Sequence, residues 1–135
     1  MKNKLLTIFL LFGVLFAGCT SNATAEKGLL QGNVLIGPLS PVEQPGQTAT
    51  INCDAYALRK IMIYDQSGKT LVRQVDIECN VEEQYTRYRV ELEPGTYLVD
   101  INNIGIDHSS DVPRQVEILP GTTFKLDIEI DTGIR

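Results

Sequence analysis

The sequence predicts an all-β fold, a seven-stranded antiparallel Greek-key β-sandwich after an N-terminal signal peptide. Three observations carry this expectation. From Leu29 onward no segment holds a helical period, several segments alternate apolar and polar residues with period two, and compact turn signals separate them. Strands are expected at 29–36, 57–64, 71–78, 85–92, 96–103, 114–119 and 123–131. Seven short strands in about 105 residues imply a sandwich or barrel rather than a helical or α/β fold.

The chain begins outside that domain. From Leu5 to Ala17 every residue is apolar or small except Thr7, and the only preceding charges are Lys2 and Lys4. A transmembrane helix needs about 20 apolar residues, so this run is too short to span a bilayer; a basic start and a short apolar core are how a secretory signal reads. The run ends Leu15-Phe16-Ala17-Gly18-Cys19, which resembles the lipobox of bacterial lipoproteins, with Phe16 where Leu is commoner. The resemblance implies that residues 1–18 are removed and that Cys19 becomes an acylated N-terminus. The competing reading is ordinary cleavage near Ala23-Thr24-Ala25. Several acyl chains on one residue meet the two-signal requirement for stable anchoring. Residues 19–27 contain no apolar side chain larger than Ala after the cysteine and are expected to form a flexible tether, reaching at most about 30 Å at about 3.3 Å per residue. Residues 28–135 are the expected sandwich domain.

Within the domain the turns are read from their own chemistry. Asp65 to Lys69, DQSGK, places Gly68 where a hairpin needs positive φ; Glu93 to Thr96, EPGT, and Leu119 to Thr122, LPGT, put Pro and Gly in type II order. All three are expected to be tight hairpins. In the fourth strand Thr86, Tyr88, Val90 and Leu92 face one way while Arg87, Arg89 and Glu91 face the other. In the last, Phe124, Leu126, Ile128 and Ile130 alternate with Lys125, Asp127, Glu129 and Asp131. Each therefore presents one face to core and one to water.

Cysteine and charge bound the environment. Apart from Cys19, the chain has Cys53 and Cys79; an even pair in an exported chain is most simply a disulfide, with two buried free thiols as the other reading. The full chain has 12 basic and 17 acidic residues. Without Lys2 and Lys4 the mature chain keeps 10 basic and 17 acidic residues, a net charge of −7. That disfavours nucleic acid and anionic membrane as direct partners.

The order of features resembles the transthyretin-like, carboxypeptidase regulatory-like domains of many secreted bacterial proteins. The resemblance is carried by Gly32-Asn33-Val34, the proline-rich crossover from Ile36 to Gln47, Tyr56, and Tyr64 to Lys69. It continues through Leu92 to Ile101, Val116 to Thr123 and the closing Ile130 to Arg135. It covers nearly the whole mature chain and implies a transthyretin-like sandwich. Members often carry a cysteine pair in the crossover, where this chain has Ser40 and Thr48. A Cys53–Cys79 bond is therefore a relocated one. A tight turn at Ser67-Gly68 brings Cys79 opposite about Tyr56, so residues 52–55 must curl back for the bond to form.

No set of residues argues for catalysis. His108, the one histidine, lies among Asp107, Ser109, Ser110 and Asp111, but triad partners converge from separate elements, not from adjacent positions on one loop. The same loop offers Asn102, Asn103, Asp107, His108 and Asp111 to a cation, without any recognised calcium-loop spacing. Asp127, Glu129 and Asp131 are expected to face water or to pair with Arg87 and Arg89. With no Trp, a sugar platform would rest on Tyr56, Tyr64, Tyr85, Tyr88 or Tyr97. An internal Lys27–Asp127 isopeptide is not expected, because Lys27 precedes the apolar run.

The expected function is accordingly non-enzymatic, with no catalytic, cofactor or metal site. The chain reads as an envelope lipoprotein held to the bilayer through Cys19, serving structure or binding an envelope protein, peptide or glycan. A surface lipoprotein that binds glycan or peptide is the alternative, and an enzyme the third. Thr20 stands where an inner-membrane retention signal would place Asp, which implies the outer membrane in a two-membrane cell and the outer face of the cytoplasmic membrane otherwise.

Overall fold

The computed structural model describes residues 24–39 and 50–134. The expected signal peptide, Cys19 and its neighbours, Ser40, Thr48 and Arg135 lie outside the described residues. The strands are β1 (Gly28–Gly37), β2 (Lys60–Asp65), β3 (Leu71–Asp76), β4 (Glu78–Asn80), β5 (Tyr85–Leu92), β6 (Gly95–Ile101), β7 (Arg114–Ile118), β8 (Thr123–Lys125) and β9 (Ile128–Asp131), with one helical turn, α1 (Cys53–Ala57). They form an all-β sandwich of two sheets. One runs β4-β5-β1-β8, with β9 also on β1; the other runs β3-β2-β6-β7.

Among the described residues nine strands replace the expected seven, because two expected strands are interrupted. The segment 71–78 changes sheets at Ile77, whose side chain is buried: β3 pairs with β2, whereas β4 pairs with β5 in the opposite sheet. The last strand lies parallel to β1 and leaves its ladder for two residues. The offset is the same on both sides, with Gln31 beside Lys125 and Val34 beside Ile128. Within the gap the Asp127 carboxylate accepts the Asn33 N–H at 2.8 Å, and the buried Tyr88 hydroxyl donates to the Leu126 carbonyl at 2.7 Å. The Asn33 N–H and the Leu126 carbonyl are thus satisfied by side chains, while the Leu126 N–H keeps a backbone bond to the Gln31 carbonyl at 2.9 Å. Close approach also requires Gly32, where a Cβ would stand 1.8 Å from the Leu126 carbonyl oxygen.

Only one of the three expected hairpins is one. Asp65 to Lys69 joins β2 to β3 with Gly68 at φ +73°. The turns at 93–96 and 119–122 instead carry the chain from one sheet to the other, since β5 and β8 pair with β1 while β6 and β7 pair with each other. Pro-Gly chemistry specifies a tight reversal but not which sheet the next strand joins. The second strand starts at Lys60, later than expected, because residues 53–57 form α1.

Period two holds where the sequence showed it. Leu30, Val34, Ile61, Ile63, Tyr88, Val99, Ile128 and Ile130 are fully buried between the sheets. Arg87, Arg89, Glu91, Lys125, Asp127 and Glu129 are exposed on the outer face of the β1 sheet. Cys53 and Cys79 form a disulfide that ties α1 to β4. The required curl at 52–55 is supplied by the helical turn, whose Asn52 side chain caps Asp54 N at 3.1 Å.

Candidate functional site

The chain enters β1 at one end of the sandwich, where Lys27 pairs with Glu93 at 3.5 Å. Lys27 therefore does not approach Asp127. The His108 loop lies at the opposite end, with α1, the β4–β5 turn and the residues that follow β9.

That loop's polar groups are engaged in holding the scaffold. Asp107 receives two hydrogen bonds from Arg59, Nε at 2.7 Å and Nη2 at 3.0 Å, and both side chains are almost fully buried. Arg59 Nη1 also donates to the Ala55 carbonyl at 2.8 Å, so the pair binds the loop to α1. Asp111 accepts the Glu129 N–H at 2.8 Å, and the Asn102 side chain accepts the Lys60 N–H at 2.6 Å. His108 exchanges two backbone hydrogen bonds with Asp131, and its exposed ring lies 3.5 Å from the Asp131 carboxylate. Asp107 thus points into the scaffold while His108 points outward, and the two do not form a catalytic relay. Among the described residues no group of three or more His, Cys, Asp and Glu is arranged to hold a metal ion.

The tyrosines do not gather into a platform. Tyr56 and Tyr88 are core residues, and the Tyr97 hydroxyl donates to the Glu93 carbonyl at the entry end. Burial pushes the Tyr88 phenol far above its ordinary value. Tyr85 lines a surface hollow of about 500 Å³, with Asn33, Leu35, Gln84, Thr86, Asp111, Asp127, Ile128 and Glu129. The Arg87 guanidinium sits 4.1 Å from the centre of the Tyr85 ring and covers a face on which a sugar would stack. Arg87 is itself fixed by Glu78 at 2.9 Å, a bond that raises its pKa. Of the two readings for the carboxylates of the last strand, Asp127 and Glu129 face water, and among the described residues they do not pair with Arg87 or Arg89, because β1 lies between β5 and β9.

A feature that sequence reasoning missed is the treatment of the sheet edges. In β3, Arg73 is registered with the core residue Ile63, so an exposed charge occupies the inward side of an edge strand, beside a bulge at Ile63/Tyr64. In β7, Arg114 is registered with the core residue Val99 and follows Pro113. The other sheet ends in a three-residue strand, β4, and in the interrupted β8 and β9. Inward charges, bulges, prolines and short edges all block strand addition. Arg73 was visible as a charge breaking an apolar alternation in LVRQV.

No family model matches the chain, and no curated protein matches it. Among solved structures, GBS52, the minor pilin of the Gram-positive pathogen Streptococcus agalactiae, shares the fold. The TM-score is 0.50 and the identity 13%, over 80% of this chain and 45% of the pilin. The chain thus spans less than half the length of that protein.

Proposed function

We propose that this protein is a lipid-anchored module of the cell envelope whose transthyretin-like sandwich acts without catalysis, as a structural or protein-binding unit. Acylated Cys19 holds it to the outer membrane of a two-membrane cell, or to the outer face of the cytoplasmic membrane otherwise. The observation that carries the non-enzymatic reading is how the end loop's polar groups are used. Asp107, Asp111 and Asn102 are taken up in holding the scaffold, and beside the exposed His108 and the polar β4–β5 turn that end also exposes three large apolar side chains, Leu58, Val81 and Ile106. Exposed apolar side chains opposite a tether suit contact with another protein. The apolar run ending at Cys19 and the disulfide of an exported chain support the location. A minor pilin is among the proteins built on this architecture.

The test is metabolic labelling with palmitate, alongside crosslinking in intact cells. The wild-type chain is expected to be labelled, to sediment with membranes and to crosslink to another envelope component, and Cys19→Ala to lose both label and membrane association. An unlabelled mature chain beginning near Ala25 overturns the anchor, and turnover of a substrate by the purified domain overturns the non-enzymatic reading.

A further inference from the structure

The hollow beside Tyr85 combines an apolar floor with an acidic wall. Leu35, 61% exposed, lines it, whereas Gln31 and Asn33, the outward positions that precede Leu35 on β1, are polar. The neighbour of Leu35 on β9 is Glu129, and Asp111 and Asp127 line the same hollow. The turn that leads into Gln84 and Tyr85 adds Glu82 and Glu83, both exposed. The cations nearby are matched: Arg87 is held by Glu78, and Lys125 lies 3.5 Å from Asp127. Arg89 and Glu91 stand further along β5, opposite Gln31 and Leu29, and neither lines the hollow. Among the described residues Asp111, Glu129, Glu82 and Glu83 make no salt bridge.

We infer that this hollow docks a basic segment of another protein, one in which lysine or arginine stands next to an apolar residue. Carboxylates without a matched cation attract one, and here they do so on a chain whose acidic residues outnumber its basic ones. A long basic side chain has an apolar stem and a charged head. Laid across the sheet, the stem covers Leu35 and the head reaches Glu129, one strand away at about 4.8 Å. The apolar neighbour in the partner's segment packs against Leu35 and the part of the Tyr85 ring that Arg87 leaves open. The acidic wall is set before the partner arrives. The Asp111 carboxylate is held by the Glu129 N–H at 2.8 Å, and that of Asp127 by the Asn33 N–H at 2.8 Å. Groups fixed in advance reduce the ordering cost of binding. An acidic partner meets repulsion here, and a purely polar cation leaves Leu35 uncovered.

This inference rests on the protein-binding reading and gives that partner its chemistry. Fluorescence anisotropy with the full mature chain tests it on three labelled probe peptides, of alternating Lys and Leu, alternating Lys and Ser, or alternating Glu and Leu. The Lys and Leu peptide is expected to bind saturably and to weaken as salt rises. The Lys and Ser peptide binds about tenfold more weakly, and the Glu and Leu peptide does not bind. Glu129→Lys and Leu35→Ser each lower the affinity for the Lys and Leu peptide about tenfold. Glu117→Lys, the same charge change on the outer face of the other sheet, alters it by less than about twofold. Circular dichroism and intact disulfide confirm folding of each variant. Absence of saturable binding overturns the docking site, as does equal binding of the two lysine peptides. Equal losses for Glu129→Lys and Glu117→Lys also overturn it, because they show attraction to net charge alone. A chain that binds none of the peptides yet crosslinks to another envelope protein in intact cells leaves the broader reading standing.

Discussion

Asp107 and Arg59 are joined by two hydrogen bonds, with side chains 4% and 11% exposed, and the arginine's remaining nitrogen is fixed on Ala55. The residue that the sequence places beside the only histidine is thus a bolt between the end loop and α1. Removing one partner of a buried ion pair strands the other charge. Asp107→Ala is therefore expected to cost about 3–5 kcal/mol in urea unfolding, and Asp107→Leu with Arg59→Met to cost less than Asp107→Ala alone. Equal losses for the two would show that the charges are solvated.

The Tyr88 hydroxyl supplies the second prediction. Tyr88→Phe leaves the Leu126 carbonyl without that donor and is expected to cost about 1–2 kcal/mol. The pH dependence follows from the raised pKa: above pH 10 the unfolded chain loses this phenolic proton while the folded chain keeps it. The stabilisation is complete below the unfolded value and is lost as pH rises toward the folded one. Tyr88→Phe is expected to flatten the fall in stability above pH 10. Tyr97→Phe, removing a half-buried phenol whose pKa burial raises less than that of Tyr88, flattens it less.

Reduction of Cys53–Cys79 opens a loop of 26 residues in sequence separation. In the chain-entropy picture the bond contributes roughly 3 kcal/mol, so Cys53→Ser is expected to shift the denaturation midpoint accordingly. Because the bond ties α1 to β4, amide exchange should accelerate first in residues 53–57 and 78–80. Uniform acceleration across both sheets would contradict this local role.

At the edge of the second sheet, Arg73→Val and Arg114→Val remove the inward charges without touching the core. Light scattering on heating is expected to show earlier association for both, most strongly when combined. Unchanged scattering would mean that the bulge and Pro113 protect the edges unaided.

Legibility of the fold followed the physics of each signal. Period-two burial in 85–92 and 123–131 was readable because it is local: one face meets core and the other water. The five-residue α1 was not, since a single turn has no period, although Asn52 before Cys53 and Asp54 is a capping signal. Sheet membership was not readable either. The turns at 93–96 and 119–122 have hairpin chemistry, yet β6 and β7 join the other sheet because of partners far away in sequence. In the candidate site, Asp107, His108 and Asp111 could be placed on one loop. That Arg59 would claim Asp107 required a contact across 48 residues.

The parallel neighbourhood of the first and last strands also determines how the domain bears load. A force that draws Gly28 and Asp131 apart pulls β1 and its partner in opposite directions along their length. That is shear, and it stresses three registered pairs in β8 and four in β9 together. Peeling a ladder breaks its bonds one after another, whereas shearing must break them at once. β1, β8 and β9 together therefore make the domain stiff along the direction of its strands.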